Sequence, residues 1–532
     1  VKTTYFIFIS LFFIFYNGNT NNLKTIKVSN IAIILFFLIL VLITQNKLLN
    51  FETISIDIPS YLVASQNIGI NEIPFEKQWE SKGPLFIYMY KLLSIISFKN
   101  LVVFKVLNDL LLFIISILIY KISLIKSENT IKAIIGTIFF ISITSHSWYV
   151  SELSEIYCLI FITLQYFLVT KYNLSKKIII TSGVLISLSS LINQATVIFL
   201  LAIIFLVYQE KDSKIRSSYY LNVILGFSIP HIFFLLLYSI KGFIDVHIAN
   251  YITIPFSYVG SSKFDYYEII VWLRRYFLYN EFLYYSLIFI SLSLFMNILG
   301  KNSFKNKFLV NNLIYLTLSF SIYVIAAHNY QHHLFYSIAF LAILFSAIDF
   351  KNTSIFIYSL VFISMFQIFT TSLPSAVMNL KSIENTVNSY PLNLLAKEID
   401  SLFDSNDYTV LALDHVLLLY YLDKPNTSYI IHPNNNYEKY IVDELIETGL
   451  LKTNENSHLS YYIELEPDVI ICTPDAAIKG FPTDVDSSFY NCEITDYKKN
   501  YSKLDTQKYL DNPNRDYYFD PYAEINVFIK DF

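Results

Sequence analysis

Through its first 371 residues the chain alternates long apolar runs with short polar connections. The runs lie near 28–45, 101–120, 131–146, 157–170, 178–192, 195–208, 219–240, 279–299, 308–327, 334–348 and 353–371. Such runs read as membrane-spanning helices, several of them short for a bilayer about 30 Å thick. They predict a polytopic α-helical membrane domain over 28–371 with about 11 transmembrane helices. The 178–208 stretch is the tightest, since two crossings must share it. Tyr5–Tyr16 is too short to cross, so residues 1–27 form an N-terminal segment of open status, either an interfacial helix or a signal-like stretch.

Past Thr371 the periodicity changes. TVLAL (409–413), SYIIH (428–432) and PDVIICT (467–473) read as strands, while DHVLLLYYL and YEKYIVDELIETGLL read as helices. Strands alternating with helices predict a small water-soluble α/β domain over 372–532. Residues 503–532, rich in Tyr, Asp and Asn, carry no readable motif.

Composition supports this division. The chain is 55% hydrophobic and 15% charged, against about one quarter charged in soluble domains. The net charge of −4 hides two opposite halves. Residues 372–532 hold 12 Lys+Arg and 26 Asp+Glu, a net of −14, which leaves 26 bases and 16 acids, or +10, for the rest. The bases are spread over loops and form no patch, so nothing in the charge pattern points to a nucleic-acid partner. No Gly-rich phosphate loop and no CxxC or HExxH motif is present. Of three cysteines, Cys158 lies in an apolar run, whereas Cys472 and Cys492 lie in the soluble part and are candidates to pair.

The lysines set a topology. Lys24 and Lys27, Lys121 and Lys126, Lys171 to Lys177, Lys211 to Arg216, Lys301 to Lys307, and Lys351 mark one set of connections. Short loops rich in Lys and Arg stay cytoplasmic. The other side then receives the 46–100 loop, SHSWYVSELSE, INQ, the 241–278 loop, HNYQHH and the whole 372–532 region.

Chemistry-bearing residues gather on that outer side, where acids and bases are costly unless they serve a site. Asp57 opens DIPSYLVASQNI, which reads as a short amphipathic helix, and PLFIYMYKLLSIIS reads as a second one along the membrane face. Alone, Asp57 reads as a helix cap. Glu80 and Lys82 flank the SKGPL turn, and Lys82 either meets a phosphate or snorkels to the surface. Glu152 and Glu155 in SHSWYVSELSEIY stand three apart and would share one helical face. Arg274 and Arg275 break the inside-positive pattern; they fit a lipid phosphate or an interfacial anchor beside Trp272. His328, His332 and His333 cluster at one helix end, and the His328–His332 spacing would allow a shared metal ligand set.

The order of these features resembles the GT-C membrane glycosyltransferases, the superfamily of protein O-mannosyltransferases and aminoarabinose transferases. In that superfamily an acid on the first outer loop is followed by an amphipathic helix and a KPPL motif. Here the motif reads KGPL, with Gly83 for the first proline. The second outer loop carries a second acid, a place that Glu155 or Glu152 fills. AAHNYQHHLFYSIAFLAIL resembles the family's late histidine stretch, without its proline. In SGVLISLSSLINQATVIFLL, Asn193 and Gln194 replace the usual basic tip residue. TVLALDHVLLLYYLDKPNTSYI resembles a passage in bacterial members.

The resemblance implies a transferase of the cell membrane, a bacterial plasma or inner membrane, that takes a sugar from a polyprenyl-phosphate-linked donor at the outer face. It implies Asp57, with Glu155 or Glu152, as catalytic carboxylate acting as general base with inversion. Lys82, Glu80, Arg274, Arg275, His328, His332 and His333 are then candidates for donor phosphate or substrate binding. No cofactor is certain from the resemblance, the use of a divalent metal stays open, and the acceptor would be an envelope lipid, glycan or protein. Two other readings stay open: a non-enzymatic transporter or envelope scaffold, and a polysaccharide polymerase or ligase. Transporters place polar groups near the midplane, often in inverted repeats, whereas here they gather at one face.

Overall fold

The computed structural model describes residues 30–46, 49, 51–52, 55, 57–145, 151–209, 212–261, 266–279, 307–325, 331–347, 372–405, 407–436, 438–455, 457–472, 500–510 and 525–531. The Tyr5–Tyr16 run, the 353–371 run, the 279–299 run past Tyr279, His328 and Cys492 lie outside the described residues. Every other predicted apolar run coincides with a helix. These are Asn30–Asn46, Leu101–Ser127, Thr130–Thr144, Ser154–Lys171, Lys176–Ser190, Leu200–Tyr208 with the 3-10 turn Gln194–Phe199 before it, Ser213–Lys241, Lys307–Ile325 and Phe335–Ala347. Among the described residues three helical segments are long and apolar enough to cross a membrane, Leu101–Ser127, Ser213–Lys241 and Phe308–Ile325.

Polar residues in the short connections set the helix starts. Asn100, Asn129 and Asp212 each accept two backbone N–H groups at the start of the helix that follows, satisfying donors left free at a helix N-terminus. Leu101–Ser127 packs against Thr130–Thr144, Ser154–Lys171 and Phe335–Ala347. Lys176–Ser190 lies closely on Ser213–Lys241. A Cβ on Gly226 would stand 2.2 Å from the Ile180 carbonyl oxygen, and one on Gly183 would stand 2.6 Å from that of Val223. Small residues at this crossing let the two backbones approach, as is common between membrane helices.

The 46–100 loop forms the two predicted helices, Asp57–Gln66 and Pro84–Ile96. An aromatic cluster pins them to the bundle: Tyr61 meets Phe86 edge-on at 4.9 Å, and Phe86 meets Tyr157 of Ser154–Lys171 at 5.1 Å. Edge-to-face rings add about 0.5–1.5 kcal/mol each beyond the area they bury.

Among the described residues the C-terminal region holds a four-stranded mixed sheet in the order β1-β2-β4-β3. The strands are β1 Val410–Ala412, β2 Val469–Cys472, β3 Tyr501–Lys503 and β4 Asn526–Lys530. β1 and β2 run parallel with Val410 opposite Val469, whereas β4 runs antiparallel to both β2 and β3. The helices Leu417–Leu422 and Lys439–Glu447 fall in the predicted places. Two expectations change. The 428–432 segment is not in the sheet: its backbone pairs with Trp79 of the 46–100 loop, Trp79 N–H donating to Tyr429 O at 2.7 Å and Ile431 N–H to Trp79 O at 3.2 Å. The segment taken to hold no motif supplies Lys503, the last residue of β3, and all of β4. Cys472 is disulfide-bonded and Cys158 is free and buried.

One hydrophobic core runs through both halves, from Phe37 and Tyr61 to Leu418 and Ile470. Polar contacts join them as well. Gln78 donates to Asn426 O at 3.0 Å, Tyr429 O–H donates to Phe75 O at 2.6 Å, and Lys99 pairs with Asp423 at 2.6 Å. Buried Glu52 accepts Leu392 N–H and Asn393 N–H, each at 2.9 Å, at the start of the helix Pro391–Asp400. A carboxylate suits the positive end of a helix dipole. Burial nevertheless dominates, and it raises the Glu52 pKa from 4.5 to about 7 against those hydrogen bonds.

A raised carboxylate pKa means that the folded state holds the proton more tightly than the unfolded state. Stability from this group is therefore greatest below pH 4.5 and falls as pH rises through about 7, with a slope of up to ~1.4 kcal/mol per pH unit. Glu52→Gln is expected to keep the helix contact and flatten that slope, in thermal unfolding followed between pH 5 and 8. An unchanged slope in the variant would show that another group sets it.

Candidate active site

Asp57 is the first residue of its helix, and its backbone N–H donates to Ser55 Oγ at 3.2 Å. Its carboxylate does more than serve a helix start: Oδ1 accepts His432 Nε2 at 2.8 Å. The Asp57 side chain is 25% exposed, which leaves an approach for a small polar group, while that of His432 is 8% exposed. Burial pushes the Asp57 carboxyl up, but the His432 hydrogen bond and charge, with His332 and Lys82 behind them, reverse this and hold it at about 2. On His432 burial opposes a charge, yet the bond to Asp57 outweighs it and the pKa is raised.

Glu155 stands in the first turn of Ser154–Lys171, ahead of the apolar run, and is buried. His333 Nδ1 lies 3.5 Å from Glu155 Oε1. Asn193 Nδ2 reaches the same oxygen at 3.5 Å, while its own Oδ1 caps the 3-10 turn by accepting Ala195 N–H. The loop tip that lacks a basic residue is thus built to touch the second carboxylate. Glu155, His332 and His333 bring one ligand atom each to within 4.8 Å of one another. Two imidazoles and a carboxylate suit a zinc-like divalent cation. Of the His328–His332 pair expected from spacing, His328 lies outside the described residues.

Lys82 acts electrostatically on Asp57, Glu155, His332 and His432, so it lies among them. Its carbonyl accepts Asn250 Nδ2 at 3.3 Å, and Gln194 Nε2 donates to Asn250 O at 3.1 Å. The turn after it is fixed by backbone bonds: Gly83 N–H donates to Ile192 O at 2.9 Å and Leu85 N–H to Leu191 O at 3.2 Å. Glu80 is buried, and burial raises its pKa against the charge of His432 and bonds from Ser81. His332 is pushed down to about 4 by burial, with Glu155 opposing.

Other sequence candidates lie elsewhere. Glu152 precedes the helix, which begins at Ser154, so it does not share a helical face with Glu155. It belongs to a second buried group with Lys105, Asp109 and Ser151, where the Ser151 hydroxyl lies 2.7 Å from Asp109 Oδ1 and 3.3 Å from Glu152 Oε2. Arg274 is exposed on Tyr266–Tyr279. The side chain of Arg275 is outside the description, as is His328. His432 was missed by sequence reading. Its signal was present only as a polar residue closing an apolar SYII segment.

No family model matches the sequence, and no curated protein matches it. Among solved structures the fold is similar to the apo oligosaccharyltransferase of Archaeoglobus fulgidus, with 11% identity, 84% of this chain and 70% of that one covered, and a TM-score of 0.48. It is also similar to ArnT from Cupriavidus metallidurans bound to undecaprenyl phosphate, with 10% identity, 84% and 93% covered, and a TM-score of 0.48. A third is the archaeal oligosaccharyltransferase AglB from Archaeoglobus fulgidus, in complex with an inhibitory peptide and a dolichol-phosphate. It shows 12% identity, 83% and 69% coverage, and a TM-score of 0.44.

Proposed function

We propose that this chain is an integral membrane glycosyltransferase that moves a sugar from a polyprenyl-phosphate-linked donor to a hydroxyl of an envelope lipid, glycan or protein at the outer membrane face. The observation that carries the reading is the meeting of Asp57, Lys82, Glu155, His332 and His333 in one electrostatically coupled group. They come from three separate connections, the same three that the order of motifs singles out.

In the proposed reaction the acceptor oxygen attacks the anomeric carbon. The new C–O bond forms as the bond to the phosphate oxygen breaks, and the electron pair leaves on the lipid phosphate. The hydroxyl proton passes to Asp57, and the configuration inverts. A carboxyl held at about 2 is ionised at any working pH and is always ready to accept. Its low basicity requires late transfer, after the hydroxyl has become acidic by bonding to an oxocarbenium-like carbon. Lys82 supplies positive charge where the phosphate leaves. Arg274 and Arg275 are assigned to the donor phosphate as it enters from the lipid, and Glu80 to substrate contact. Glu155, with His332 and His333, holds the sugar or a divalent cation. Such a cation, when bound, would supply Lewis-acid charge for the leaving phosphate.

The test uses purified protein in lipid nanodiscs, polyprenyl-phosphate hexose and pentose donors labelled on the sugar, and envelope extract as acceptor. Release of polyprenyl phosphate matched by label on the acceptor is expected. Donor binding with no release would favour the transporter or scaffold reading.

A further inference from the structure

Among the described residues the C-terminal region reaches the site through His432. Three features hold it there. In the neutral ring Nδ1 accepts Asn434 N–H at 3.2 Å, which puts the ring hydrogen on Nε2, facing Asp57 Oδ1 at 2.8 Å; the charged ring keeps the Nε2 bond to Asp57 and gives up the one from Asn434. The carbonyl of His432 accepts Asn436 Nδ2 at 3.4 Å, and Asn436 Oδ1 lies 3.3 Å from His458 Nε2. The chain just before His432 is locked to the first outer loop by the Trp79 backbone pairing. An imidazole buried between two fixed segments, with its tautomer set by a backbone donor, is placed rather than incidental.

We propose that His432 is the positioning residue for Asp57: the C-terminal region supplies it to fix the carboxylate's orientation, which makes that region part of the active site. This rests on the reading of Asp57 as the base. The sheet and its helices then serve to carry one imidazole to the membrane face. The charged and titratable groups acting on this pair are His332 and Lys82 on Asp57, and Glu80 and Lys82 on His432. Glu438 lies within reach of the His432 charge, and Tyr61 within reach of that of Asp57. All of these stay in place in the variants below.

The experiment compares His432→Phe and His432→Gln with wild type, each as the full chain in nanodiscs. Phe fills the space without a donor. The Gln side-chain amide can place an N–H close to the position of Nε2. Transfer is followed from pH 3.5 to 8. His432→Phe is expected to lose on the order of 10–100-fold in kcat, by analogy with partners that orient metal-ligating side chains, with donor KM little changed. Its acid limb should move up, so that activity falls below about pH 5 where wild type stays level, because Asp57 then titrates nearer to or above the ordinary carboxylate value of about 3.9. His432→Gln should recover most of kcat and keep the low acid limb. Equal loss in Phe and Gln with an unmoved acid limb would overturn the proposal and make His432 a structural contact.

A second readout does not depend on turnover. The Asp57 carboxylate band, assigned by infrared difference against Asp57→Asn, should titrate higher in His432→Phe than in wild type. If that band does not move, the coupling is absent and the proposal fails. If it moves while Asp57→Asn retains full transfer, the base reading fails, and with it the positioning role, although the contact is real.

Discussion

Asp57→Asn is expected to fold, to insert normally and to lose roughly 10²–10⁴-fold in transfer rate, the span typical of a lost general base. Asparagine keeps the shape, and its Oδ1 can still accept the Nε2 hydrogen of His432, which sits 2.8 Å from Asp57 Oδ1. The link between the first outer loop and the C-terminal region therefore survives. What is lost is the ability to take the acceptor's proton. Asp57→Glu should retain a little activity, since the carboxylate is displaced by one methylene rather than removed. The measurement is single-turnover transfer from a polyprenyl-phosphate sugar at matched protein levels. Near-normal turnover in Asp57→Asn would take the base role away from Asp57 and pass it to Glu155, the other acid of the same group, or to Glu152. Loss of the protein from the membrane would point instead to a folding role at the start of Asp57–Gln66.

Gly83→Ala is expected to be the most damaging small substitution in the outer loop. The backbone of Gly83, at φ −67° and ψ 158°, is open to any residue. The obstacle is contact: an added Cβ would lie 2.1 Å from Leu191 O, 2.6 Å from Leu191 C and 3.1 Å from Ile192 O. All three are backbone atoms at a loop tip held by its own hydrogen bonds, so no side chain can swing aside. The turn must move, and it would break the bonds from Gly83 N–H and Leu85 N–H to that tip. Overpacking costs about 1–3 kcal/mol, and each lost bond about 0.5–1.5 kcal/mol. A loss of at least ~2 kcal/mol in stability is expected, with Lys82 displaced from the carboxylates. Lys82→Met separates the two effects, since it removes the charge and leaves the turn. Thermal unfolding and transfer rate are measured on both. A Gly83→Ala protein with wild-type melting and turnover would mean that the turn tolerates what the geometry forbids.

The same contact explains why this chain reads KGPL. Where the backbones of residues 83 and 191 touch, no side chain fits, while Pro84 is welcome at the first helical position, where no N–H is needed. Motif comparison could mark the departure at Gly83; the reason lies 108 positions further along the chain.

Much of the helical architecture was legible because it is local. Apolar runs and the proline after Gly83 act within a few neighbours, and among the described residues helices formed where they said. The change of period past Thr371 marked β1 and β2 for the same reason. β4 was overlooked because NVFIK is short and sits among polar residues, and it pairs with strands more than 20 residues away. The 428–432 segment has strand composition, and its backbone does pair, but with Trp79. Composition reports that a segment wants partners and not which ones.

The site divides along the same line. The sequence by itself determined that carboxylates, a lysine and histidines stand at the ends of apolar helices, with Asp57, Glu155 and Lys82 among them. Only the tertiary structure decided which of them meet. Glu152 and Glu155, three residues apart, go to different groups because the helix begins between them. Glu155 meets His333 from a distant connection, and Asp57 meets His432 across 375 positions. Those encounters follow from how the bundle packs and how the C-terminal region docks on the first outer loop. Packing is a property of surfaces brought together by the whole chain, and no short-range spacing encodes it.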